Sequence, residues 1–168
     1  ISQTNYSDLK DATGRDCPPT LRMVLDKYFG VVLLNIELKS RGSGRVVATT
    51  LRTYIENPND WDNVVVSSFK ISELIACRRV APKANIAFLH DINPFAFITY
   101  HRFLNFTAVG FHRLHTNRLA LEIAKRAGIF SYVYTVDRPK AAQRLVEQGF
   151  DGIVTNYPDR ILQSIKRS

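Results

Sequence analysis

From Thr20 onward the chain repeats one pattern: an apolar run short enough for a strand, then a stretch with helical spacing. Strands are predicted over Val31–Leu38, Asn63–Ser67, Asn85–Leu89, Ala108–Phe111, Ile129–Val136 and Gly152–Thr155. A helix precedes the first: Thr20 is a plausible N-cap after Pro18-Pro19, Leu21, Val24, Leu25 and Tyr28 fall on one face, and Gly30 suits the stop. Further helices are predicted over Val46–Ile55, Ile71–Arg78, Pro94–Phe106, Arg118–Ala127, Pro139–Glu147 and Pro158–Lys166. Leu119, Ile123 and Ala127 would share the apolar side of the fifth, and Pro139 stands in a first turn, where it is tolerated. Arg41–Gly44 reads as a loop, and Asn57–Asp60 as a break. Strands that alternate with helices require a parallel sheet flanked by helices. An open doubly wound sheet and a closed (β/α) barrel both satisfy that requirement.

The strand ends favour the barrel. They close in Glu37-Leu38-Lys39, Ser67-Ser68, His90-Asp91, His112-Arg113, Tyr134-Thr135 and Thr155-Asn156. A β/α barrel brings all of its C-terminal strand ends to one face, where its active site sits. An open sheet uses mainly those beside its switch point. Loops are polar in any fold, which accounts for part of the pattern.

Glu37 is the most informative of these residues. Strand alternation puts Asn35, Glu37 and Lys39 on one face and Ile36 and Leu38 on the other. In a barrel the first face is the interior, where a carboxylate is costly unless paired or metal-bound. Two readings share this geometry. Glu37 and Lys39 can pair with each other, or Glu37 can ligate a hard cation such as Mg²⁺ or Ca²⁺ while Lys39 holds a phosphate oxygen.

The 168 residues fit one domain, with 45% hydrophobic residues for its core. No apolar run approaches the roughly 18 residues of a membrane span. Ile1–Lys10 has no basic-then-apolar leader, and the expectation leans to the cytoplasm. The net charge of +8 lies wholly in residues 68–168, with fifteen basic against seven acidic side chains. That imbalance favours anionic partners such as phosphate esters, nucleic acid or a lipid surface, although a solvated basic surface would look the same. Cys17 and Cys77 make neither a disulfide framework nor a metal motif. Gly42-Ser43-Gly44 is no phosphate loop, no G-x-G-x-x-G follows a strand, and charge alone is thin support for nucleic acid.

Five segments, in order, carry a resemblance: Pro19-Thr20-Leu21 with Val24-Leu25; Asn35-Ile36-Glu37-Leu38-Lys39; Ser68-Phe69; Tyr134-Thr135-Val136-Asp137; and Gly149 through Asp159. Together they resemble the glycerophosphodiester phosphodiesterase family over roughly residues 18–160. The resemblance implies a (β/α)8 TIM-type barrel that hydrolyses glycerophosphodiesters to glycerol 3-phosphate and an alcohol. It implies a divalent cation, Mg²⁺ or Ca²⁺, with Glu37 as one ligand and Lys39 as the catalytic cation at the phosphate. It further implies substrate contacts from Lys39, Ser68, Tyr134 and Asn156. Tyr134 stands where the family usually has tryptophan, which keeps an aromatic wall and alters its fit. The partner implied is a small glycerophosphodiester of the kind membrane lipids yield, with no nucleic acid.

The family's opening segments, His-Arg-Gly, Glu-Asn-Thr, Glu-x-Asp and a second histidine before aspartate, do not occur here. The expectation is therefore a single domain, 1–168, holding about six of eight β/α units and too few acid/base groups to work alone. Leu89-His90-Asp91 falls three strands too late to supply the missing pair, and His101, His112 and His115 match no catalytic position of the family. The competing reading is a non-catalytic barrel remnant that holds a phosphorylated ligand.

Overall fold

The structure, a computed structural model, describes residues 5–13 and 17–165. The chain order is α1 (Tyr6–Thr13), α2 (Leu21–Tyr28), β1 (Leu34–Glu37), α3 (Ser43–Leu51), a short 3-10 helix (Pro58–Asn63), β2 (Val64–Ser68), α4 (Ile71–Val80), β3 (Asn85–His90), α5 (Ala96–Leu104), β4 (Ala108–His112), α6 (Arg118–Arg126), β5 (Phe130–Tyr134), α7 (Pro139–Glu147), β6 (Gly152–Ile153) and α8 (Pro158–Ile165). All six strands are parallel, and their spatial order equals their sequence order. That order decides between the two architectures. A doubly wound sheet reverses direction at a switch point, whereas successive crossovers of one hand, stepping one way, keep every helix on the same side. The result is the curled, half-barrel sheet of a TIM-type fold.

Alternation along the strands separates two layers. Val64, Val66, Ile86, Phe88, Val109, Phe111 and Val133 point outward and build the main core with Leu25, Leu51, Leu74, Phe97, Leu121, Leu145 and Ile161 of the helices. Val65, Ala87, Leu89, Ala108, Tyr132 and Tyr134 form a second apolar cluster on the other, concave face. Gly110 lies on that face opposite Tyr132. A Cβ there would stand 2.6 Å from a Leu89 methyl and 2.9 Å from the Tyr132 ring, so glycine makes room for both side chains.

Helix α2 begins as its sequence predicts. Thr20 is extended, and its hydroxyl accepts the Met23 N–H at 3.3 Å. Gly30, at φ 76°, turns the chain out of the helix.

Most element ends differ from expectation by a few residues, and three differences have a visible cause. Val31–Leu33 is not strand: the Val31 and Val32 N–H groups both donate to the Tyr28 carbonyl, and the side chains are exposed. Helix α3 starts at Ser43 rather than Val46, because a carboxylate distant in sequence caps it. Leu119 is exposed, and α6 buries Ala120, Leu121 and Ala124 instead. Helix α1 was not anticipated. The expected end of the last helix, Lys166, lies outside the described residues.

Candidate active site

The mouth of the arc is organised around the end of β1. Its backbone is clamped by the end of β2. Leu38 N–H donates to the Ser67 carbonyl at 2.7 Å, and the Ser68 hydroxyl donates to the Leu38 carbonyl at 2.8 Å while accepting the Lys70 N–H at 3.0 Å. The Lys70 ammonium donates to the Lys39 carbonyl at 2.6 Å. Leu38 is buried on the helix side, so its neighbours Glu37 and Lys39 are turned the other way.

Glu37 and Lys39 face each other at 3.5 Å, with side chains 33% and 77% exposed respectively. So open a pair adds little to stability, and its ammonium remains accessible to a ligand. Glu37 stands opposite Ser67 in register. Ser67 is fully buried, and its hydroxyl approaches that of the buried Tyr132 on the concave face; among the described residues neither makes a hydrogen bond of good geometry. Burial, reinforced by the Glu37 charge, pushes the Tyr132 phenol above its ordinary range.

Tyr134 closes the other side. Its hydroxyl donates to the His90 carbonyl at 2.8 Å, and its ring meets Phe69 and His112 edge-on, both at 5.9 Å. Burial comes first and the nearby Asp91 charge second in raising the Tyr134 phenol, so it stays a neutral donor at neutral pH. The charge of Glu37 adds a smaller upward push on the Tyr134 phenol.

Ser68 and Asn156 occupy different positions from the others. Ser68 is fully buried, and its hydroxyl is engaged by Leu38 and Lys70, so its visible work is to fix the β1 end. Asn156 is exposed; its backbone and side-chain N–H groups donate to the Asp137 carboxylate at 2.9 and 3.0 Å, and Thr155 adds a third bond at 2.9 Å. These bonds hold the Asp137 carboxyl below its usual range and tie the loop after β6 to the loop after β5.

The structure adds two residues to those singled out from sequence. Ser67, rather than Ser68, carries the hydroxyl of the concave face, and the parity of residues along β2 could have shown this. His112 is carried by alternation along β4 to the same face as Tyr134, with the His115 ring 5.6 Å away. His90, by contrast, is on the helix side. It is 4% exposed and packed edge-on against Phe111 at 4.7 Å.

No group of three or more His, Cys, Asp or Glu side chains converges as a metal site among the described residues. A hard divalent cation needs six or more oxygens, so Glu37 and its surroundings do not fit a complete site.

Comparison with known proteins agrees with the fold and identifies the family. The sequence pattern of the glycerophosphoryl diester phosphodiesterase family matches residues 8–160. A glycerophosphodiester phosphodiesterase of Caldanaerobacter subterraneus subsp. tengcongensis is 28% identical, over 89% of this chain and 62% of its own length. Among solved structures, a glycerophosphodiester phosphodiesterase from Parabacteroides distasonis superposes with a TM-score of 0.74 at 23% identity, over 99% of this chain and 73% of that one. A phosphodiesterase from Oleispira antarctica, in complex with the product sn-glycerol-3-phosphate, superposes with a TM-score of 0.70 at 21% identity, over 86% and 58%. The chain thus spans about three fifths of the length of the curated relative it matches.

Proposed function

Because the chain belongs to the glycerophosphoryl diester phosphodiesterase family, we propose that its mouth binds the phosphate of a small glycerophosphodiester, as part of a hydrolase that releases glycerol 3-phosphate and an alcohol. In that reaction a water oxygen bonds to phosphorus, the P–O bond to the alcohol breaks, and the alkoxide takes up a proton. The observation that carries the reading is the Glu37–Lys39 pair, turned to the concave face on a clamped backbone. Lys39 is free to leave Glu37 for a phosphate oxygen and to offset the charge that grows there. Tyr134 forms the aromatic wall of the pocket. Asn156 is one bond network away from the mouth, and its contact to substrate would require releasing Asp137. Ser68 contributes through the position of Leu38.

A divalent cation, when bound, would neutralise phosphate charge, with Glu37 as one oxygen ligand. The described residues do not complete such a site, and no step is assigned to it. The 168-residue chain alone is accordingly a binder of the product and a poor diesterase.

Calorimetry with glycerol 3-phosphate, paired with a glycerophosphocholine hydrolysis assay in Mg²⁺ or Ca²⁺, tests both statements. Binding is expected, weakened about tenfold or more by Lys39→Ala, with little turnover. Absence of binding, or binding indifferent to Lys39→Ala, overturns the assignment of the mouth. Rapid metal-dependent turnover overturns the assignment as a binder only.

A further inference from the structure

Between the loop after β4 and helix α7 lies a cleft of about 550 Å³. It falls within the size range of small-molecule sites. Three arginines line it: Arg113 from the loop after β4, Arg138 at the start of α7 and Arg144 one and a half turns further on. Arg113 donates to the Thr135 carbonyl at 3.0 Å. Arg138 and Arg144 have no side-chain hydrogen bond or ion pair among the described residues. The single carboxylate in the lining, Asp137, has its oxygens engaged by Thr155 and Asn156. The cleft therefore carries an excess of two positive charges, and the guanidinium donors of Arg138 and Arg144 are unspent. Val136 and Leu145, both buried, supply an apolar floor.

We propose that this cleft is a binding site for a phosphomonoester dianion, whose phosphate is gripped by Arg138 and Arg144 and whose carbon portion lies on Val136 and Leu145. A dianion matches the charge excess. The planar fork of arginine suits phosphate oxygens, which accept two parallel bonds at a time. Neither Lys39 nor Glu37 lines the cleft, so the two anion sites are separable by mutation.

The phosphomonoester can be a soluble metabolite or the headgroup of an anionic lipid, and two probes distinguish these sources. Inorganic phosphate is titrated by calorimetry into the 168-residue chain, and phosphatidylcholine vesicles with or without phosphatidic acid are used in a flotation assay. Both are repeated with Arg138→Gln/Arg144→Gln and with Lys39→Ala. The expected result is saturable binding of at least one probe, weakened about tenfold or more in the double variant and retained in Lys39→Ala. Phosphate binding without flotation marks a soluble ligand; flotation that depends on phosphatidic acid marks the lipid. Failure of both probes, binding indifferent to the double variant, or binding lost in Lys39→Ala but kept in the double variant overturns the proposal. Both arginines are exposed, so the variants are expected to fold, and an unchanged thermal midpoint verifies it.

Discussion

His90 ends β3 with both ring nitrogens buried and without partners among the described residues. Burial pulls its pKa from the ordinary 6.5 down to about 4, partly offset by the Asp91 charge. The folded state therefore keeps the imidazole neutral where the unfolded chain would protonate it. The unfolded state binds more protons across that interval, so stability is complete above about pH 6.5 and falls as pH drops toward 4. The loss from this one group is at most about 3 kcal/mol. Urea unfolding between pH 4 and 7 is expected to show this slope in the wild type and a shallower one in His90→Phe; parallel slopes would discard the explanation. The sequence showed a histidine before an aspartate, a pair that invites a catalytic reading. Strand parity turns it to the helix side, and only the packing of Phe111 against it shows how dry the site is. Cys77 tells the same story, since burial raises its thiol to about 11 and leaves it inert.

Helix α3 shows why element ends were less legible than element identities. Its N-cap residue, Gly42, sits at φ 79° and offers no side-chain cap. The Glu73 carboxylate of α4 accepts the Gly42 and Gly44 N–H groups at 3.0 and 2.8 Å instead. A buried carboxylate at a helix N-terminus satisfies orphan donors and complements the dipole. Gly44 makes the approach possible, for a Cβ there would stand 2.1 Å from the Glu73 carbonyl oxygen. Local sequence could not reveal a cap supplied from about thirty residues away. Glu73→Ala is expected to cost about 2–3 kcal/mol in chemical unfolding, and Gly44→Ala at least as much, because backbone must move. A change below about 0.5 kcal/mol in both would mean the cap is incidental. The consequence reaches the mouth, since the segment between Lys39 and Gly42 is held at its two ends by Lys70 and by Glu73, with the Ser43 hydroxyl donating to the Ser40 carbonyl between them.

At the scale of the whole molecule, the arc has two edges: β1 and β6 each pair on one side only among the described residues. Beside β1 the exposed Leu33 borders an apolar hollow of about 430 Å³ that runs along the concave face past Val65, Ala108 and Phe130. Unpaired edges next to exposed apolar surface invite association between copies. Sedimentation velocity is expected to show concentration-dependent self-association of the 168-residue chain. Leu33→Lys should reduce it without lowering the thermal midpoint, since Leu33 is 70% exposed; a wild type that stays monomeric would refute this. What the sequence determined by itself was periodicity: six strands, their helices, the parallel sheet, and the parity that puts Glu37 and Lys39 on one face, because backbone geometry fixes those locally. Tertiary structure decided what depends on neighbours far along the chain: consecutive strand order, the clamp of Ser68 on Leu38, the cap of Glu73 on α3, and the arginine cleft. Each of these arises from groups that meet only when the sheet curls, and no local pattern records that meeting.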